Sequence, residues 1–169
     1  MALDLNINIA RTNRFIITVT PPSSSGLSPT TFRDTYIETG ELPSMSISTE
    51  DYELDGKPTI KVPYKRSPAG TISLGIRLEE DGASRKYFKQ WMDSIIVTGD
   101  NVTYYRSYYK DIVGSIEIRQ LDLNDKPTFG VTLLNAYPIN IDTINYDWGD
   151  TNNYVKQTIA MCYYDERSI

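Results

Sequence analysis

Residues 71–79 alternate strictly between apolar and polar side chains. The apolar positions are Ile72, Leu74, Ile76 and Leu78. A period of two is typical of a β-strand with one buried face. The same alternation recurs at 15–19, 116–118, 129–133 and 155–163. These segments predict a chain that is mainly β.

One segment follows a helical period instead. Its apolar residues are Tyr87, Phe88, Trp91, Met92 and Ile95. Their spacing places all five on one face of a helix over about 84–96, which predicts that they pack against the sheet. Asp81 or Ser84 can cap the start of this helix.

The stretch from about 46 to 70 predicts a long projecting hairpin, called the arm below. Asp55 and Gly56 form a strong turn pair between β-prone segments. Pro58, Pro63 and Pro68 disfavour central sheet strands. With one helix among antiparallel strands, the fold class is predicted to be an antiparallel β-sandwich or barrel with a flanking helix and this arm. The 169 residues suit a single domain over 1–169.

A proline sits inside the apolar stretch L-L-N-A-Y-P-I-N-I-D-T-I-N-Y-D-W at 133–148. Proline cannot donate to a strand ladder. Pro138 is therefore predicted to break the ladder between 129–135 and 139–147, so that the chain turns a corner there.

Composition excludes most kinds of chemistry. The chain has no histidine and one cysteine, so histidine-dependent triads and internal disulfides are impossible. Its acidic clusters lie beside turn residues and lack calcium-loop spacing, so we expect no metal site, no cofactor and no enzymatic activity.

The net charge of −5 disfavours a protein that grips nucleic acid. The N-terminus lacks the features of a signal peptide, and no apolar run is long enough to anchor the chain in a membrane. We therefore expect synthesis in the cytoplasm.

The densest aromatic patch is Y-Y-R-S-Y-Y at 104–109. It is typical of cross-strand tyrosine pairs or a subunit contact, and a stacking platform for a sugar is the alternative. In that alternative the protein is a monomeric carbohydrate-binding β-sandwich that uses Tyr104, Tyr105, Tyr108 and Tyr109.

Taken in order, these motifs resemble those of the tail tube proteins of contractile-tailed bacteriophages. The matching segments are N-R-F-I-I-T-V (13–19), L-P-S-M-S-I (42–47), K-P-T-I-K-V-P (57–63), T-I-S-L-G-I-R-L-E-E-D-G-A-S-R-K-Y-F-K-Q-W (71–91), the aromatic-proline stretch (133–148) and the terminal strand V-K-Q-T-I-A-M-C-Y-Y (155–164). The resemblance covers about 13–165. The Pro/Ser-rich loop at 21–30 and the tyrosine-rich segment depart from the pattern.

The resemblance implies a structural subunit of the virion, made in the host cytoplasm. It implies homohexameric rings that stack into a tube inside a contractile sheath, with sheath, baseplate and tail terminator proteins as partners. Genomic DNA would pass through the lumen without specific binding. The alternatives within the same kind of machine are a baseplate tube-initiator and a tube subunit of a bacteriocin or of type VI secretion.

Two groups of residues are expected to serve assembly and conduction. The inter-subunit contacts of the arm are assigned to Tyr52, Leu54, Ile60, Val62 and Tyr64. The lumen candidates, taken from polar strand faces, are Ser73, Arg77, Glu117 and Arg119.

Overall fold

The computed structural model describes residues 11–169 apart from 34, 35, 54, 57, 68, 69, 99–103, 107 and 150–152. Its strands are β1 (Phe15–Thr20), β2 (Thr30–Phe32), β3 (Ile37–Gly40), β4 (Ser46–Tyr52), β5 (Ile60–Ser67), β6 (Gly70–Arg77), β7 (Ile96–Thr98), β8 (Tyr104–Arg106), β9 (Gly114–Leu121), β10 (Pro127–Ile141), β11 (Lys156–Tyr163) and β12 (Asp165–Ser168). The helices are α1 (Ala83–Ile95) and α2 (Tyr109–Ile112), and a 3-10 turn spans Ser23–Ser25.

Eight strands form the body in the order β2-β1-β9-β10-β11-β6-β3, with β12 also on β10. All pairings are antiparallel. The N-terminal part of β10 pairs with β9 and β12, and its C-terminal part pairs with β11. We call the two layers the β9 sheet (β2, β1, β9, β12 and the start of β10) and the β11 sheet (the end of β10, β11, β6 and β3). The mainly β antiparallel sandwich predicted from the sequence is confirmed.

Both layers contribute to one apolar core. Its fully buried aliphatic side chains include Ile17, Val19, Ile116 and Leu133 from the β9 sheet and Ile72, Leu74, Ile76, Ile159 and Met161 from the β11 sheet. The predicted alternation of β6 is confirmed, because its apolar residues face this core. Burial of such side chains contributes roughly 1.5–3 kcal/mol each, which makes the core the main source of stability.

The chain turns from one sheet to the other at Asn135. This residue has a φ of 53°, in the left-handed region that asparagine tolerates better than most residues. The register of β10 against β9 shifts between Leu134 and Ala136 at the same place. A β-bulge of this kind bends a strand and increases its twist.

The predicted break at Pro138 is wrong, and the structure has only a register shift against β11 between Pro138 and Asn140. β10 continues through Pro138, which pairs with Met161 of β11 and is buried. At this point β11 is the only described strand beside β10, since pairing with β9 ends at Ala136. A proline is tolerated where its missing N–H faces away from a partner strand. The corner therefore precedes the proline by three residues.

Helix α1 packs on β10 and covers the core with its aromatic face. It begins and ends one residue before the predicted 84–96. Phe88 and Trp91 are fully buried in the core, Tyr87 and Ile95 pack against it, and Met92 is partly buried. The Trp91 Nε1 donates a hydrogen bond of 3.0 Å to the Ile112 carbonyl. Among the described residues, no helix has the length and apolar character needed to cross a membrane.

Two carboxylates cap the start of α1. Asp81 Oδ1 accepts a hydrogen bond of 3.1 Å from the Ala83 N–H, as one of the two predicted caps. Glu79 Oε2 accepts a second one, of 3.0 Å, from the Ser84 N–H. Negative charge at a helix N-terminus satisfies free N–H groups and complements the helix dipole. Glu79 therefore has a structural role that the sequence analysis did not assign.

Substitution of Trp91 by alanine is expected to lower the free energy of unfolding by about 3–5 kcal/mol, because it leaves a large cavity and an unpaired Ile112 carbonyl. Urea titration followed by circular dichroism measures this change. Trp148, the other tryptophan, is fully exposed and provides the matched control. An equal loss in Trp148→Ala would contradict the role of Trp91 in the core.

Candidate assembly surfaces

The arm consists of β4 and β5, which pair only with each other in the described part of the chain. β4 follows β3, and β5 leads into β6, so the arm extends the β3–β6 hairpin beyond the sandwich. Gly56 lies at its turn with a φ of 74°, as expected for the predicted Asp-Gly pair. The predicted hairpin is therefore present.

The ladder between β3 and β6 stops where the arm begins. Gly40 pairs with Leu74, and beyond it the Glu41 carboxylate accepts a hydrogen bond of 2.9 Å from the Ser73 N–H. A side-chain carboxylate thus takes the place of the backbone carbonyl that would continue the ladder to Ser73. This interruption separates the arm from the sandwich core.

One face of the arm is apolar and open to solvent. Tyr52 pairs with Ile60, and Val62 pairs with Glu50 on the same face. Tyr64 follows Val62 by two residues, next to a register shift. The exposed fractions are 58% for Tyr52, 50% for Ile60, 42% for Val62 and 66% for Tyr64. Leu54, the fifth predicted contact residue, lies outside the described residues.

The other face of the arm is charged in its distal part, whereas Ile47 lies exposed on it nearer the base. Asp51 pairs with Lys61, and their side chains form an exposed ion pair of 3.4 Å. A two-stranded hairpin is marginally stable by itself in water. An exposed apolar face rimmed by polar residues is typical of a protein interaction site. The four described arm residues named from the sequence are exposed, and their role in a subunit contact stays a prediction.

The lumen candidates divide between the two sheets. Glu117 and Arg119 alternate with buried Ile116 and Ile118, so they lie on the outer face of the β9 sheet, where they form an ion pair. Ser73 and Arg77 alternate with the buried residues of β6 and lie on the outer face of the β11 sheet. A wall formed by one face of the sandwich can therefore include only one of these pairs.

A charged cluster surrounds Tyr154 beside the outer face of the β11 sheet. The Arg77 guanidinium lies 4.6 Å and the Lys156 ammonium 5.1 Å from its ring centre. Glu38 accepts hydrogen bonds from Lys156 and from the Tyr154 hydroxyl, at 2.7 and 2.9 Å. The bonds from Lys156 and Tyr154 lower the pKa of Glu38, and the bond to Glu38 raises the pKa of Lys156. This arrangement is a surface ion-pair network.

A cleft opens at the end of the sandwich where β1 begins and β9 ends. It has a volume of about 290 Å³, and we call it the Phe15 cleft. Its apolar lining comprises Phe15, Leu42, Ile118 and Phe129, and its basic lining comprises Arg11 and Arg14. Leu42 and Phe129 are about half exposed. Sequence analysis missed this site because its residues come from four separate segments.

The side chains of Tyr104 and Tyr105, two of the four tyrosines of the carbohydrate-binding alternative, lie outside the described residues. β8, which contains both, pairs with β7. Tyr108 and Tyr109 are exposed on the short connection through α2. No group of three potential metal ligands occurs within the described ranges.

Three solved structures illustrate the similarity of the fold. A chain of the anti-feeding prophage tube terminating cap aligns with a TM-score of 0.71 and 16% identity, over 100% of this chain and 99% of that one. A chain of the anti-feeding prophage baseplate aligns with a TM-score of 0.70 and 15% identity, over 95% of this chain and 95% of that one. A chain of the sheath-tube complex of an extracellular contractile injection system, PVC, in the extended state gives 0.68 and 14%, over 97% of this chain and 93% of that one.

No curated protein matches the chain. The sequence profile of a family described as phage tail tube protein matches residues 10–166, which is nearly the whole chain. The expected resemblance is confirmed, and the chain belongs to the phage tail tube protein family.

Proposed function

We propose that this chain is a structural tube subunit that assembles into homohexameric rings, which stack into a hollow tube inside a contractile sheath. The observation that supports this most directly is the arm, whose apolar face has no cover in a single chain. A partner must bury that face, and a second copy of the chain is the partner that a repeating tube supplies. The whole chain acts as one tail-tube domain, with no catalytic step and no cofactor.

In this proposal the subunit is made in the host cytoplasm and becomes part of the virion. Sheath, baseplate and tail terminator proteins contact the finished tube, and genomic DNA passes through its lumen without specific binding. The similar chains come from sheath-tube, baseplate and cap structures. These similarities support a machine of this kind, and a tube-initiator or secretion-tube subunit is the second candidate.

Electron microscopy of the purified chain tests the proposed assembly. Tubes or stacked rings with six-fold symmetry are expected at high protein concentration or after addition of a nucleating baseplate component. A chain that remains monomeric under both conditions would contradict the proposal. Protection of Tyr108 and Tyr109 by a glycan in that monomer would instead favour the carbohydrate-binding alternative.

The arm is expected to be necessary for tube formation. Replacement of Tyr64 by aspartate places a charge on the apolar face and should abolish tubes, because a buried unpaired carboxylate is costly. Deletion of 52–62 should have the same effect. Circular dichroism should show a folded sandwich in both variants, since none of the described arm side chains belongs to the sandwich core.

The matched control for Tyr64→Asp is Tyr164→Asp. Tyr164 is similarly exposed, at 62%, but it lies outside the arm. Normal tube formation by the Tyr64 variant would exclude a specific role for the arm. An equal loss of tube formation in both variants would exclude it as well.

The outer face of the β9 sheet is the better lumen wall. Glu117 lies between Thr18 and Thr132 on adjacent strands and pairs with Arg119. This surface is polar and balanced in charge, so a polyanion can slide past it. The β11 sheet is flanked instead by the cluster around Tyr154, in which two cations outnumber the single Glu38 carboxylate, so this surface attracts a polyanion.

Cysteine labelling in assembled tubes distinguishes the two faces. In a Cys162→Ser background, Glu117→Cys is expected to react with a small maleimide but not with a bulky polymer-linked one, because the lumen excludes the larger reagent. Ser73→Cys should not show this size dependence. The reverse pattern would assign the lumen to the β11 sheet.

Glu117→Lys should also slow DNA ejection in a complete particle.

A further inference from the structure

Resting on the proposed tube function, we infer that the apolar face of the arm docks into the Phe15 cleft of a second copy of this chain. The arm and the cleft both leave apolar side chains exposed in the single chain. The two surfaces match in their apolar side chains and in the sign of their charges.

The apolar parts are complementary in kind. The arm presents aromatic side chains, with Tyr52 and Tyr64 more than half exposed. The cleft offers the rings of Phe15 and Phe129 and the aliphatic side chain of Leu42. Aromatic side chains that fill an apolar pocket contribute most of the binding energy at many protein interfaces. A cleft of about 290 Å³ accommodates one or two such side chains, not an entire hairpin.

The charges are complementary in sign. Between residues 50 and 62 the arm has four acidic residues, Glu50, Asp51, Glu53 and Asp55, and two lysines, so its distal part has a net negative charge. The cleft lining described above contains two arginines and no carboxylate. The Arg14 guanidinium already forms an ion pair of 2.8 Å with Asp125, so Arg11 is the cation more available to a partner. Opposite charges around an apolar centre orient two surfaces and speed their association.

The arm has the length to reach another copy. β4 contains seven residues, and a strand rises about 3.3 Å per residue, so the arm projects by roughly 23 Å. The cleft includes Gly40 and Leu42 at the base of the arm, whereas Tyr52 and Ile60 lie near its tip. The contact between arm and cleft is therefore head-to-tail, the type that builds rings or filaments.

Cross-linking between two chains tests the contact itself. In a Cys162→Ser background, one chain carries Leu42→Cys and the other carries Val62→Cys. A short bismaleimide is expected to produce a covalent dimer in the mixture and little or none in either chain alone. A link within one chain is impossible in this design. Absence of the mixed dimer, while both cysteines react with a monofunctional maleimide, would overturn the inference.

Substitution in the cleft tests its role in assembly. Leu42→Asp should abolish tubes, whereas Leu123→Asp should assemble like the wild type. Leu123 is equally exposed but lies outside the cleft. Normal assembly of the Leu42 variant would assign the arm to a different surface.

Mixing two inactive variants gives a sharper result. Tyr64→Asp retains a working cleft, and Leu42→Asp retains a working arm. The mixture should form a heterodimer by native mass spectrometry but no tube, because the remaining two surfaces are blocked. Two separate monomers in the mixture would contradict a direct arm-to-cleft contact.

A charge exchange tests the orientation. Arg11→Glu and Glu50→Arg should each raise the concentration needed for assembly by about tenfold, and the double variant should restore it substantially. An additive loss in the double variant would count against a pairing between the two sites. If the wild type forms no tube but the mixed cross-link still appears, the tube proposal fails and the docking contact stands.

Discussion

Both layers of the sandwich depend on the bend in β10. One strand belongs to both sheets, so the left-handed conformation of Asn135 sets the angle at which the two apolar faces meet. Gly114 lies opposite Ala136 at this bend. A Cβ on Gly114 would lie 2.2 Å from the Thr20 carbonyl oxygen and 3.0 Å from the Trp91 ring. Close approach at the bend thus unites both sheets and helix α1 in a single core.

Local periodicity was sufficient to predict the elements that bury one face. The alternation in β6 and the helical spacing around Trp91 each depend on neighbours within a few residues, which the sequence displays directly. The corner could not be located in this way. Whether Pro138 interrupts a ladder depends on which side of the strand has a partner, and that is a property of the tertiary structure.

Among the candidate surfaces, too, some could be predicted from local sequence and others depend on the tertiary structure. Tyr52, Ile60, Val62 and Tyr64 share one parity in a hairpin with a recognisable turn, so their common exposure on the arm could be predicted. The lumen residues could not be grouped, because parity within a strand does not reveal which sheet contains that strand. Glu117 and Ser73 both follow a polar alternation, yet the topology places them on different sheets. The Phe15 cleft required the folded chain for the same reason.

The polarity of the arm limits the kinds of assembly available to it. The Asp51–Lys61 ion pair keeps one face of its distal part hydrated, so only the opposite face gains from burial there. A contact between two identical arms would bring their acidic tips together, and like charges at close range oppose such a pairing. The arm therefore favours a different, basic surface on the next copy. A contact between unlike surfaces leaves one free arm and one free cleft after each subunit is added. Addition therefore stops when a ring closes, and otherwise it continues as an open filament.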